Sequence, residues 1–127
     1  MDDAGFQRWL DGYVDAWKTY DQGAIGALFS EDAKYRFHPW DETADAVDGR
    51  AAIVANWLEE RDDPDSWTAE YRPWAVDGDR AVAVGVSRYF GADRAKVERE
   101  YHNVFLCRFD AEGRCREFTE VYLRRGD

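Results

Sequence analysis

Lysine is almost missing from this chain: Lys18, Lys34 and Lys96 are the three among 127 residues. Lys+Arg total 17 against 27 Asp+Glu, giving a formal net charge of −10 and a pI near 4.6. Binding to phosphate backbones needs a basic stripe, and the arginines here are scattered among acids, so neither a nucleic acid nor an anionic membrane surface is expected as a partner. No run of 18 apolar residues occurs, which excludes a membrane-spanning helix. Met1-Asp2-Asp3 is acidic and is not the start of a basic-then-apolar signal, so a cytoplasmic location is the expectation. Cys107 and Cys115 are the two cysteines. They form no metal motif and read as free thiols that fill space. No Ser-His-Asp arrangement, phosphate-cradling glycine loop or dinucleotide fingerprint is present, so no cofactor is indicated. Linkers, repeats and low-complexity stretches are also missing, and the length suits one domain spanning residues 1–127.

Aromatic residues, in contrast, are abundant: six Trp, seven Tyr and seven Phe. A domain this small fills an ordinary core with fewer rings. The surplus of Trp and Tyr, each with one polar edge, fits the wall of an apolar cavity with a few hydrogen-bonding points; an unusually bulky core is the alternative. Phe6, Trp9, Leu10, Tyr13 and Trp17 recur at helical spacing over residues 3–20, behind a capping Asp2 or Asp3. Asp21 opens a shorter helix with Ile25, Leu28 and Phe29 on its apolar side, broken by Ser30-Glu31-Asp32. Lys34 to His38 reads as a short strand ended by Pro39, and residues 40–48 as an irregular acidic loop. A third helix over roughly 50–61 carries Ile53, Val54, Trp57 and Leu58, and Asp62-Asp63-Pro64-Asp65 stops it. Trp67–Val76 and Arg80–Phe90 flank the hairpin signal Asp77-Gly78-Asp79. Val97–Phe109 and Cys115–Arg125 flank a second hairpin. Three helices followed by an antiparallel meander predict an α+β domain. Its bent sheet, antiparallel or mixed, wraps the helical layer as a cone with a central pocket.

In this order, the first helix, the block Leu28-Phe29-Ser30-Glu31-Asp32-Ala33, Gly49-Arg50 before helix three and the turn Phe109-Asp110-Ala111-Glu112-Gly113-Arg114 resemble the SnoaL-like branch of the nuclear transport factor 2-like superfamily. The resemblance covers essentially the whole chain. It implies a curved-sheet cone, a homodimer and a pocket used by isomerases, cyclases, epoxide hydrolases, dehydratases and non-catalytic binders, so fold does not fix function. Set against the ketosteroid isomerases, Tyr13 stands at the helix-one tyrosine. Their general-base Asp falls on Phe37, or on His38 if His38-Pro39 is matched to an Asp-Pro pair, and their second acid falls on Phe105. Set against limonene epoxide hydrolase, Arg116-Glu117-Phe118-Thr119-Glu120 puts Glu117 at the carboxylate that holds the attacking water. Tyr35 and Phe37 replace its strand-one Tyr and Asn.

Strand alternation selects the polar groups that reach the cavity. If Phe105 faces in, so do Tyr101, Asn103 and Cys107, opposite Cys115, Glu117, Thr119 and Val121; a one-residue slip reverses this list. Val104, Leu106, Phe118 and Tyr122 then face out and predict a homodimer through the outer sheet face. A carboxylate facing an aromatic cavity is raised toward the range of a general base, which makes Glu117 the first catalytic candidate. His38, near the expected pocket mouth, is the second. Tyr13 is a candidate hydrogen-bond donor. Trp17, Tyr35, Phe37, Trp40, Trp57, Trp74, Tyr89, Tyr101, Asn103, Phe105 and Thr119 complete the expected ligand wall. Glu98, Glu100 and His102 alternate on one strand face, a pattern that favours a solvated or interface face over a metal site. The reading is a protein that binds a small, largely apolar organic molecule in an aromatic-lined pocket; if it turns that molecule over, Glu117 or His38 shuttles a proton without a cofactor, in a reaction of isomerase, cyclase, dehydratase or hydrolase type. A non-catalytic ligand binder and a dimerisation module filled by its own rings are the alternatives.

Overall fold

The structure is a computed structural model that describes residues 1–42 and 45–126. Helix α1 (Asp3–Thr19) begins where the Asp2 carboxylate accepts the Gly5 N–H at 2.7 Å, satisfying one of the free donors of the first turn. It ends at Tyr20, whose left-handed φ of 53° closes the last turn onto the Ala16 carbonyl. Helix α2 (Gln22–Ala27) is capped by Asp21. It is shorter than the pattern suggests, because Phe29 already begins strand β1 (Phe29–Arg36). Ser30-Glu31-Asp32, expected to break a helix, lies instead inside this strand, where its register against the last strand shifts between Phe29 and Lys34.

The acidic loop after β1 returns through a two-residue strand, β2 (Val47–Asp48), into helix α3 (Arg50–Glu59). Strands β3 (Trp67–Asp77), β4 (Arg80–Phe90), β5 (Val97–Phe109) and β6 (Cys115–Arg124) follow as the predicted meander. The six strands form one open sheet in the order β2-β1-β6-β5-β4-β3, with β1 parallel to β6 and the other pairs antiparallel. This is the α+β, three-helix, mixed-sheet architecture expected from the sequence.

Core and cavity divide the sheet's inner face. Phe6, Leu10, Ile25, Phe29, Ile53, Phe105, Phe109 and Phe118 are essentially inaccessible and pack as one cluster. The Trp9 indole joins them and donates to the Leu28 carbonyl at 3.0 Å, so its polar edge is satisfied inside the core. On β4 the inner face carries Ala81, Ala83, Gly85 and Ser87, while Val82, Val84 and Val86 point outward. These small residues make room for the rings of neighbouring strands. At Gly85 the room is obligatory: a Cβ there would lie 2.1 Å from the Glu70 carbonyl oxygen and 2.4 Å from Tyr71 Cδ1. Tyr71 is its cross-strand partner. Cys107 and Cys115 are free and buried. Among the described residues no helix is long and apolar enough to cross a membrane.

Candidate functional site

Between the C-terminal half of α1, the end of α3 and the inner faces of β3 to β6 lies a half-open cavity of about 580 Å³. Its volume falls in the range typical of small-molecule sites. All seven tyrosines of the chain line it, from Tyr13 on α1 to Tyr122 on β6. Of the seven phenylalanines, only Phe37 does so. Every ring with a hydroxyl therefore reaches the hollow, even where, as at Tyr13, Tyr35 and Tyr71, it also packs against the core, in keeping with the cost of burying an unpaired hydroxyl.

Glu120 projects into this cavity from β6. It has no hydrogen-bond or ion-pair partner among the described residues, and its withdrawal from bulk water raises its carboxyl from 4.5 to about 7. Around it stand phenols whose pKa values are likewise raised, first by burial. The Glu120 charge adds to the shift at Tyr13, Tyr35 and Tyr71. The Tyr13 and Tyr35 hydroxyls pair at 3.2 Å. The Asn103 side-chain amide donates to the Ser87 hydroxyl at 3.1 Å. The mouth carries Glu59, Glu60 and Asp62 on the α3 side and Arg99 on β5. Asp62 is tied down by the Trp17 indole N–H at 3.1 Å, and its own backbone N–H donates to the Tyr20 hydroxyl at 2.8 Å.

Tyr13, Trp17, Tyr35, Phe37, Trp57, Tyr89, Tyr101 and Asn103 thus lie together on the cavity wall. The other expected residues do not. Glu117 lies on the opposite face of the sheet, 41 % exposed, 3.8 Å from Arg36 and 3.7 Å from Arg108. The cause is a bulge: Phe109 pairs with Cys115 but Arg108 pairs with Glu117, leaving Arg116 as an extra residue in β6. Beyond it the alternation inverts, so Phe118, Glu120 and Tyr122 face in, while Thr119 and Val121 face out. Thr119 is buried, but away from the cavity.

His38 follows β1 on the loop, its ring stacked 4.8 Å from Trp40 and its Nδ1 3.3 Å from Asp41. It is partly exposed and does not line the cavity. Trp40 is 73 % exposed. Trp74 is 70 % exposed, because it is the extra residue of another bulge, between Pro73 and Ala75 of β3. Phe105 points inward but belongs to the packed core. His102 and Glu100 lie outside the cavity: Glu100 receives Arg88 at 2.8 Å, His102 at 3.0 Å and Arg125 at 3.2 Å. Hydrogen bonds from His102, Arg88 and Arg125 hold its carboxyl near 2.

Among the lining residues that the sequence pattern did not single out are Asn56, Glu59, Glu60, Asp62, Tyr71, Ser87, Arg99 and above all Glu120. For Tyr71 and Ser87 the signal was present, since both alternate in step with inward neighbours on β3 and β4. For Glu120 it was masked by the Arg116 bulge.

Solved structures of low sequence identity share the fold. A candidate ketosteroid isomerase from Kribbella flavida superposes with a TM-score of 0.69 at 19% identity, over 99% of this chain and 83% of that one. An NTF-2-like protein of unknown function from Burkholderia xenovorans gives 0.67 at 15% identity, over 94% and 83%. ActVI-ORFA from Streptomyces coelicolor gives 0.65 at 17% identity, over 94% and 95%. No curated protein matches the chain in sequence. The SnoaL-like domain family model matches residues 10–118, and with the helices, the open mixed sheet and the hollow between them already described, the chain belongs to the SnoaL-like domain family.

Proposed function

We propose that this protein binds a small, largely apolar organic molecule in the tyrosine-walled cavity, and that Glu120 moves a proton on it without a cofactor. The observation that carries the reading is Glu120 itself: an unpartnered carboxyl in an aromatic hollow, poised at about 7. A general base is most effective when its pKa lies near the working pH. The carboxylate takes a proton from a C–H or O–H of the ligand. Oxyanion charge that develops as a result is met by a phenol such as Tyr71 or by the Asn103 amide, both on the same wall. The protonated Glu120 then returns the proton elsewhere on the molecule. Isomerisation and cyclisation fit this sequence of steps, and dehydration fits when the proton is returned to the departing hydroxyl; hydrolysis fits when the proton is taken instead from a water that attacks the ligand. The Kribbella neighbour, a candidate ketosteroid isomerase, agrees with such chemistry but adds only fold-level support. In this reading Glu120 takes the role that the sequence pattern gave to Glu117 and His38.

The test is retention followed by exchange. Native mass spectrometry of the protein incubated with small-molecule extract identifies a retained compound, which is then incubated with the protein in deuterated water. Wild type is expected to place deuterium on the compound and Glu120→Gln is not. Retention without exchange would reduce the protein to a binder, and no retention would remove the cavity reading altogether.

The outer sheet face supports a homodimer in the same proposal. Val82, Val84, Val86, Val104, Leu106, Val121 and Leu123 gather there, with Leu106 42 % and Leu123 74 % exposed. An apolar sheet face of this kind calls for a cover. Sedimentation should give a dimer for wild type and a monomer for Leu106→Asp; a monomeric wild type overturns it.

A further inference from the structure

We infer that the ligand carries a positive charge: the cavity is built to take an organic cation, an amine or quaternary ammonium group on an apolar body. The inference rests on the cavity reading above and specifies the class of molecule that enters.

Four side chains of acidic type line the hollow, Glu59, Glu60 and Asp62 at the mouth and Glu120 deeper in, against one basic side chain, Arg99. Glu59, Glu60 and Glu120 have no ion-pair partner among the described residues, so their charge is not answered from within the protein. Glu120 stands apart from the mouth cluster. It is a largely buried carboxyl set inside the cavity and left without a protein partner among the described residues, so its free oxygens face whatever fills the hollow.

The wall supplies the other half. Aromatic faces attract cations through the ring quadrupole, and cages of Tyr and Trp serve this purpose for quaternary ammonium groups. The protein's own cations already use rings of this wall in that way. The Arg99 guanidinium lies 4.5 Å from the centre of the Tyr89 ring, and that of Arg61 lies 5.7 Å from the Tyr20 ring. Arg99 is also within 3.4 Å of the Tyr101 hydroxyl. With its guanidinium committed to Tyr89 and Tyr101, Arg99 is a poorer anchor for a ligand carboxylate than the unpaired acids are for an ammonium.

Three probes of one shape separate the cases: benzyltrimethylammonium, its uncharged isostere neopentylbenzene, and the anion phenylmethanesulfonate. Affinities are read by quenching of tryptophan fluorescence at pH 8, in low and in high salt. The ammonium is expected to bind about tenfold more tightly than the hydrocarbon, with the advantage shrinking in high salt and the sulfonate weakest. In the Glu59→Gln/Glu60→Gln double variant and in Glu120→Gln, the ratio of ammonium to hydrocarbon affinity should fall several-fold. Equal binding of ammonium and hydrocarbon overturns the cation assignment and leaves the apolar cavity standing. Preference for the sulfonate overturns it in favour of Arg99 as the anchor. If none of the three binds, the cation assignment and the cavity reading fall together.

Discussion

Phe105 on β5 stands directly opposite Glu120 on β6. The boundary between packed core and open hollow runs between these two residues. On one side Phe105 is 1 % exposed among Phe118, Tyr71 and Tyr13. On the other, burial lets Glu120 keep its proton up to about pH 7, where an ordinary glutamate releases it near 4.5. Below pH 4.5 the folded and unfolded chains both carry that proton. Between 4.5 and about 7 the unfolded chain releases it and the folded chain keeps it, so the folded state loses stability as pH rises. Above 7 the deficit is complete. Glu120→Gln removes the deficit, and should be as stable as wild type near pH 4 but more stable by up to about 3 kcal/mol above pH 7. Urea denaturation at both pH values measures the difference. A variant whose advantage does not grow with pH contradicts the environment assigned to Glu120.

Glu117 provides the contrast. Its two ion pairs are long and half exposed, and such pairs contribute little. Glu117→Gln is expected to change stability by less than about 1 kcal/mol and to leave ligand retention and deuterium exchange at wild-type levels. Loss of exchange in this variant would return catalysis to the outer face.

Gly85 has no tolerance for a side chain. A methyl group there meets backbone of β3 at Glu70 and Tyr71, atoms that cannot rotate aside. Gly85→Ala should therefore destabilise by about 2–3 kcal/mol, read as a lower Tm by thermal unfolding. It should also displace Tyr71 from the cavity wall. A Tm within a degree of wild type would show that the sheet yields at this point.

The Tyr13–Tyr35 hydroxyl pair is buried. Tyr13→Phe leaves the Tyr35 hydroxyl without this partner, and the reverse change does the same to Tyr13, so each single variant should lose about 1–2 kcal/mol. The double variant removes both groups and should lose less than the sum of the two, because no orphan remains. A double-variant cycle by denaturant titration checks this, and strict additivity would mean the two hydroxyls do not depend on one another.

Much of this arrangement could be read from residue spacing, and the errors have local causes. The face of α1 was legible because Phe6, Trp9, Leu10 and Tyr13 keep one helical period, and all four are buried. The inward set Tyr101, Asn103, Phe105 and Cys107 was legible because β5 keeps a strict period of two along that stretch. The last strand was not, because Arg116 inserts one residue that no polar or apolar pattern announces, and every side chain after it changes face. Trp74 was lost for the same reason, one residue after Pro73 had disturbed the ladder. Trp40 looked like wall because it is large and follows a strand. The turn after Pro39 carries it into solvent beside His38 instead. A period-two argument assumes an unbroken ladder, and in this sheet the errors on β3 and β6 fall on the breaks.

The gathering of every phenol onto one wall has a practical outcome. A sample isotopically labelled at tyrosine alone would report spectroscopically on the hollow, with no background from the phenylalanine interior. Seven resonances would then register the arrival, orientation and departure of any guest.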